Sequence, residues 1–246
     1  MILQRSEAVR TVWSAISAGR LPDRYSSAGW MEPFWQRLRP HLVADARILD
    51  IGSGRTPTVP RDRRPAGGTY DGLDLSIDEL EKAPPGSYDR KFATDICDLI
   101  PELEGQYDLA VSWQVFEHVR PLGRALENTR AYLRPGGVFI AQLSGTFAPF
   151  ALANRLIPHG LARFLLRVLM RRDSEGVFPA HYDRCWYSAL HQDMSEWREC
   201  DILPLYRGAE YFKFARPLMA LCLAYEEWAS RGHPNLAGTY IIRAVK

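Results

Sequence analysis

A chain of 246 residues, 46% of them hydrophobic, suits one α/β domain with insertions and carries enough apolar material for a full core. Thirty-one basic residues against 29 acidic ones leave a net charge of +2, which argues against a nucleic-acid partner, since that needs a strongly basic face. Cys97, Cys185, Cys200 and Cys222 lie far apart, with neither metal-ligand nor redox-motif spacing, so the expectation is reduced thiols in a cytoplasmic protein without a metal. The first residues show no apolar signal core, and no run approaches the length of a membrane span.

In chain order, Ser6 to Ala18 predicts an amphipathic helix, capped by Ser6, with Val9, Val12, Trp13 and Ile16 on one face and Gly19 at its end. A polar aromatic segment with Tyr25, Trp30, Phe34 and Trp35 follows. Residues 47–51 then read as a buried strand that breaks into a glycine loop, Ile48-Leu49-Asp50-Ile51-Gly52-Ser53-Gly54. Gly52 and Gly54 carry no Cβ to keep a ligand from the backbone. Pro57, Pro60 and Pro65 crowd the next stretch, so the first connection is expected to be short or irregular rather than a full helix. Tyr70 to Leu75 reads as a second strand ending in Asp74, whose carboxylate can accept both hydroxyls of a ribose.

Strands are expected near 91–94, 107–112 and 137–143, with a helix from Pro121 to Leu133 stopped by Pro135-Gly136-Gly137. Strand and helix alternate as a parallel sheet requires. In such sheets ligands bind at the carboxyl ends of the strands, and Asp50/Gly52, Asp74, Asp95 and Ser112/Trp113 all fall at such ends. Beyond Ser144, Phe147 to Arg172 mixes apolar residues with arginines and predicts two helices split near Pro158-His159-Gly160. From its composition alone this insert could pack on the domain or lie on a membrane surface, as basic amphipathic helices do. A helix over Tyr187–Glu199, a strand over Asp201–Arg207, a helix over Leu218–Ala229 and a β-branched strand over Thr239–Val245 would complete a seven-stranded sheet with an antiparallel end.

The glycine loop and Asp74 together describe a pocket for an adenosine-containing cofactor. A dinucleotide fingerprint needs a third glycine where Pro57 stands, and no Gly-Lys-Ser/Thr follows to make a phosphate loop. Asp50, just before Gly52, suits a cation, and S-adenosylmethionine carries an ammonium and a sulfonium. The chain resembles the class I S-adenosylmethionine-dependent methyltransferases from about Ala46 to Leu143. Ile48–Gly54, Tyr70–Ser76, Ala93–Ile96, Tyr107–Val119 and Leu133–Ile140 are similar to that family's successive motifs, in order. Thr56 departs from the pattern, standing where the last glycine of the first motif often falls.

The resemblance implies a Rossmann-like seven-stranded sheet forming one domain. Residues 1–45 would be an N-terminal helical lid, 46–145 the cofactor-binding core, 146–186 a helical insert after the fifth strand that caps the substrate, and 187–246 the completion of the sheet. It implies cofactor contacts from Asp50, Gly52, Ser53, Gly54, Asp74, Leu75, Asp95, Ile96, Ser112 and Trp113. The implied activity is methyl transfer to a small-molecule or lipid-linked acceptor, with oxygen the favoured atom. The competing readings are a non-catalytic cofactor-binding scaffold and an NAD-dependent oxidoreductase, the latter opposed by Pro57.

Methyl transfer asks the protein mainly to position the acceptor and exclude water, so a general base is optional. Two histidines are candidates for it: His118, just past the fourth strand, and His181 in the polar–aromatic cluster His181-Tyr182-Asp183-Arg184-Cys185-Trp186-Tyr187. Glu117 reads as a helix-start residue. His159 and His191 read as structural or solvated.

Overall fold

The computed structural model describes residues 21–148, Ala151 and 180–246. The expected helix over 6–18 and most of the 147–172 insert, with His159, lie outside the described residues. The strands are β1 (Arg47–Ile51), β2 (Thr69–Asp74), β3 (Lys91–Ala93), β4 (Tyr107–Trp113), β5 (Leu133–Ser144), β6 (Glu199–Leu205) and β7 (Thr239–Val245). The helices are α1 (Ser27–Leu38), α2 (Ile77–Glu81), α3 (Leu122–Tyr132), α4 (Tyr187–Asp193) and α5 (Arg216–Ala229). All seven strands join one sheet in the order β3-β2-β1-β4-β5-β7-β6. Only β7 runs antiparallel to its neighbours. In open sheets of this kind the ligand crevice lies beyond the carboxyl ends of the strands where the order turns back, here between β1 and β4.

Alternation along the strands divides the core in two. Leu49, Ile51, Ala110, Phe139 and Ile242 face α3 and α4 and pack with Leu126, Met194 and Trp197. Ile48, Val111, Ile140 and Ile241 face the other way and pack with Phe34, Trp35 and Leu38 of α1. The proline-rich connection between β1 and β2 holds one short 3-10 turn, Arg61–Arg63, as its composition requires. That face of the sheet is therefore covered by α1 together with Val59, Leu80 and Tyr88. The Ser26 side chain caps α1 by accepting from the Gly29 amide at 3.0 Å.

Three boundaries differ from the sequence reading. β5 begins at Leu133, because Leu133 already pairs with Tyr107 before a bulge absorbs Pro135–Gly137 and pairing resumes at Leu109–Val138. α4 stops at Asp193, as a turn at Met194–Trp197 leads into the sheet. β6 lies two residues earlier than expected, since Leu205 is the last residue in register with Thr239 of β7. Arg207 thus falls outside the strand, at the same end as the crevice.

Asp71 of β2 shows what a buried charge demands. It is fully buried and accepts from Arg90 at 2.7 Å and from the Tyr107 hydroxyl at 2.8 Å. Asp71→Ala leaves a phenol and a guanidinium without their acceptor and is expected to cost about 3 kcal/mol of unfolding free energy. Urea denaturation checks it, and a loss below about 1 kcal/mol would remove Asp71 from the groups that hold β2 to β4.

Candidate functional site

The loop after β1 is built on glycines. Gly52 has φ +72° and donates to the Leu73 carbonyl at 2.6 Å. A Cβ placed on it would lie 2.4 Å from Val115 Cγ1, so the loop after β4 sits directly against it. Gly54 has φ +49°, and a Cβ there would lie 3.4 Å from Asp74 Oδ2. The first glycine loop and the acid that ends β2 are thus in contact, as a site spanning both strands requires. Ser53 Oγ lies 2.6 Å from the Tyr88 hydroxyl, so that side chain is engaged with the α2 side.

Asp50 departs from its expected role. Its carboxylate is fully buried and accepts from the Thr58 amide and hydroxyl, both at 2.7 Å, and from the Tyr70 hydroxyl at 2.5 Å. Both oxygens are spent on the chain that leaves the glycine loop, so Asp50 acts by holding that loop rather than by facing a ligand cation. Burial pushes its carboxyl up to about 6, against the pull of the Tyr70 and Thr58 hydrogen bonds. The fold binds this proton more tightly than the unfolded chain, so the contribution is full below pH 4 and fades as pH rises through 6. The unfolding free energy of wild type minus Asp50→Asn should fall by about 2 kcal/mol between pH 4 and pH 7. A pH-independent difference would contradict the assignment.

At the end of β2, Asp74 Oδ1 accepts the Ser76 amide at 2.9 Å, and the Gly54 and Leu75 amides also approach the carboxylate. Burial raises its carboxyl above the usual range. Leu75, next in sequence, is 64% exposed, an apolar surface beside the acid. At the end of β3, Asp95 is exposed and accepts the Cys97 amide at 2.9 Å, while Ile96 is buried and its carbonyl accepts from Asn128 at 2.8 Å. Ser112 is fully buried and donates to the Ile51 carbonyl at 2.9 Å, so its hydroxyl ties β4 to β1. Trp113 turns toward α1, edge-on to Phe34 at 4.9 Å and to Trp30 at 5.9 Å. Phe116 is core, 5.3 Å from Phe139.

The two candidate histidines come together. Phe116–His118 forms a 3-10 turn just beyond β4, and the Glu117 carbonyl accepts the amides of both His181 and Tyr182 at 2.9 Å. The Thr146 hydroxyl donates to the Tyr182 carbonyl at 3.0 Å, and Asp183 accepts the first α3 amide, Leu122, at 3.0 Å. The 181–183 segment is thereby pinned to the ends of both β4 and β5. His181 is exposed, whereas His118 is half-buried with a buried Nδ1 that has no hydrogen-bond partner among the described residues. Glu117 is 3% exposed. Burial raises its carboxyl, against the His118 charge and bonds from Ser144. Its Oε2 has no partner among the described residues.

Sequence reasoning missed Gln142 and Arg207. Both lie near the carboxyl ends of β5 and β6 with buried, unpartnered polar atoms among the described residues. The signal for Gln142 was present: a single amide inside the apolar run Phe139-Ile140-Ala141-Gln142-Leu143. Among the described residues no group of three or more His, Cys, Asp and Glu side chains could hold a metal ion, and no helix is long and apolar enough to cross a membrane.

The model of a methyltransferase domain family matches residues 24–195. In structure the chain is similar to a "possible exported protein" from Bordetella parapertussis, with a TM-score of 0.55, 14% identity, and coverage of 92% of this chain and 70% of that one. It is also similar to a SAM-dependent methyltransferase from Archaeoglobus fulgidus (TM-score 0.51, 16% identity, 90% of this chain and 95% of that one). A third likeness is to an S-adenosylmethionine-dependent methyltransferase from Mesorhizobium loti (TM-score 0.52, 20% identity, 86% and 97%). At these identities the likeness is one of fold. No curated protein matches the sequence.

Proposed function

We propose, from the premise that this chain belongs to the methyltransferase domain family and is a class I S-adenosylmethionine-dependent enzyme, that it methylates a small-molecule or lipid-linked acceptor at oxygen. The observation that carries the reading is the contact between the Gly52–Gly54 loop and Asp74 at the point where the strand order turns back. The two positive-φ glycines let the loop pack closely between neighbours, Gly52 against Val115 of the loop after β4 and Gly54 against Asp74, which leaves the loop backbone bare of side chains beside that acid. When bound, S-adenosylmethionine supplies the electrophilic methyl group.

The chain's own residues hold and orient. Asp74 would accept the ribose hydroxyls, and exposed Leu75 would lie under the adenine. Asp95 and Ile96 would flank the adenine edge, and the Gly52-Ser53-Gly54 backbone would meet the methionine end. Ser112 and Asp50 support this site through β1 and its loop. An acceptor hydroxyl would lose its proton as it is methylated, and His118, half-buried with an unpartnered Nδ1 among the described residues, would take it. The four free cysteines suit a cytoplasmic setting.

Asp74→Ala should weaken S-adenosylmethionine binding by about 1–3 kcal/mol while leaving thermal unfolding cooperative, since charge-assisted hydrogen bonds to ribose are lost. Calorimetric titration of both proteins reads this directly. Equal affinities with intact folding would remove the ribose role from Asp74.

A further inference from the structure

The carboxyl ends of β4, β5 and β6 gather polar groups whose hydrogen-bonding capacity is unspent. Gln142 is 1% exposed, and neither its amide oxygen nor its amide nitrogen has a partner among the described residues. It stands in register with Trp113 on one side and Ile241 on the other. Arg207, 7% exposed, spends Nη2 on the Tyr25 carbonyl at 3.4 Å and Glu210 at 3.2 Å. Its Nε and Nη1 are buried without a partner among the described residues. Trp30 lies between Arg207 and Trp113, the residue in register with Gln142. Its ring is 4.4 Å from the Arg207 guanidinium carbon and 5.9 Å from the Trp113 ring.

Each unmade buried hydrogen bond costs on the order of 1–3 kcal/mol, and the cost is higher for a charged group. The local acids do not relieve it. Glu226 is already committed to Arg24, the Tyr25 hydroxyl and the Gly208 and Ala209 amides. Glu210 reaches only Nη2. A guanidinium beside Trp30 and an amide in register with Trp113, both with buried unpaired polar atoms among the described residues, suit recognition of a polar ligand with a flat apolar body.

We propose that Arg207 and Gln142 form the acceptor-recognition site. It takes an acceptor that carries an anionic oxygen group, carboxylate or phosphate, attached to a flat apolar body that lies against Trp30 and Trp113. Arg207 pairs with the anion, and Gln142 offers a donor and an acceptor to a polar group on the body. The proposal rests on the methyl-transfer reading only for the meaning of the ligand as acceptor.

The test uses benzoate and phenyl phosphate as probes and benzamide as the neutral control. Binding is followed by tryptophan fluorescence, and S-adenosylhomocysteine affinity is measured separately by calorimetry. At least one anion should bind wild type about tenfold or more tighter than benzamide, and Arg207→Gln should erase that preference while S-adenosylhomocysteine binding persists. The better anion identifies the group as carboxylate or phosphate. Gln142→Leu guards against a folding artefact: it removes an unsatisfied amide, so thermal stability should rise while probe affinity falls. Benzamide binding as well as the anions, anion affinity unchanged by Arg207→Gln, or no saturable anion binding to wild type would each overturn the proposal. Failure of S-adenosylhomocysteine to bind would instead count against the methyl-transfer reading, leaving the anion preference readable.

Discussion

Replacing His118 by glutamine should lower kcat about 10²–10⁴-fold with little change in cofactor affinity. The expectation follows from how the turn beyond β4 is held. The His118 amide donates to the Val115 carbonyl at 2.8 Å, so the backbone is fixed next to the residue that presses on Gly52. Its ring is half-buried and Nδ1 is unpartnered among the described residues, so the imidazole is not committed to a structural hydrogen bond there. A histidine base fails when protonated, so wild-type activity should fall on acidification and the variant should lose that limb of the profile. His181 is joined to the same turn through its backbone amide, and its side chain is exposed. His181→Gln is therefore expected to act mainly on acceptor affinity. Steady-state kinetics of the two variants across pH separates these roles. If both keep near-normal kcat, no histidine base is used, and the acceptor is an amine or an already ionised oxygen.

The second large effect lies at Gly52. Gly52→Ala should cost about 3 kcal/mol of stability and remove cofactor binding. The new methyl group would fall 2.4 and 2.5 Å from the two Val115 methyl carbons, and the residue would be held at φ +72°. Overpacking and positive-φ strain each contribute about 1–3 kcal/mol. The two causes separate in a double-mutant cycle. Val115→Ala in the Gly52→Ala background should return most of the clash portion, since the retained Cβ still lies 2.9 Å away, and leave the backbone portion. Chemical denaturation of the four proteins measures it. Simple additivity would mean that the loops after β1 and β4 are not in contact.

These effects concern positions that the sequence made legible. Gly52, Gly54 and Asp74 announce themselves because a backbone that must take positive φ, or be approached closely, leaves glycine as a visible mark. The strands β1, β2, β4 and β7 are equally legible, since their apolar residues are flanked by turn residues and the period is short. The helix α1 was not. Pro33 interrupts its pattern, and only Phe34, Trp35 and Leu38 face the sheet, because its role is to fill the space that a proline-rich first connection leaves open.

Side-chain commitments were the least legible. Asp50 reads from sequence as facing a ligand cation, yet Thr58 and Tyr70, eight and twenty residues on, claim both of its oxygens. Trp113 reads as a cofactor neighbour, and its edge-on packing against Trp30 and Phe34 of α1 is invisible in the local sequence. Arg207 reads as the end of a strand, and only the register of β6 against β7 places it beyond the strand, against Trp30. Each of these depends on a partner far away in the chain, and no local pattern carries that information.

Residues at the carboxyl ends of β1 and β2, Gly52, Gly54 and Asp74, are expected to hold S-adenosylmethionine. Calorimetric titration of the wild-type protein with S-adenosylmethionine, and in parallel with NAD, tests it most directly. S-adenosylmethionine should bind saturably at one site per chain, and NAD should give no heat of binding. Saturable NAD binding without S-adenosylmethionine binding would contradict it.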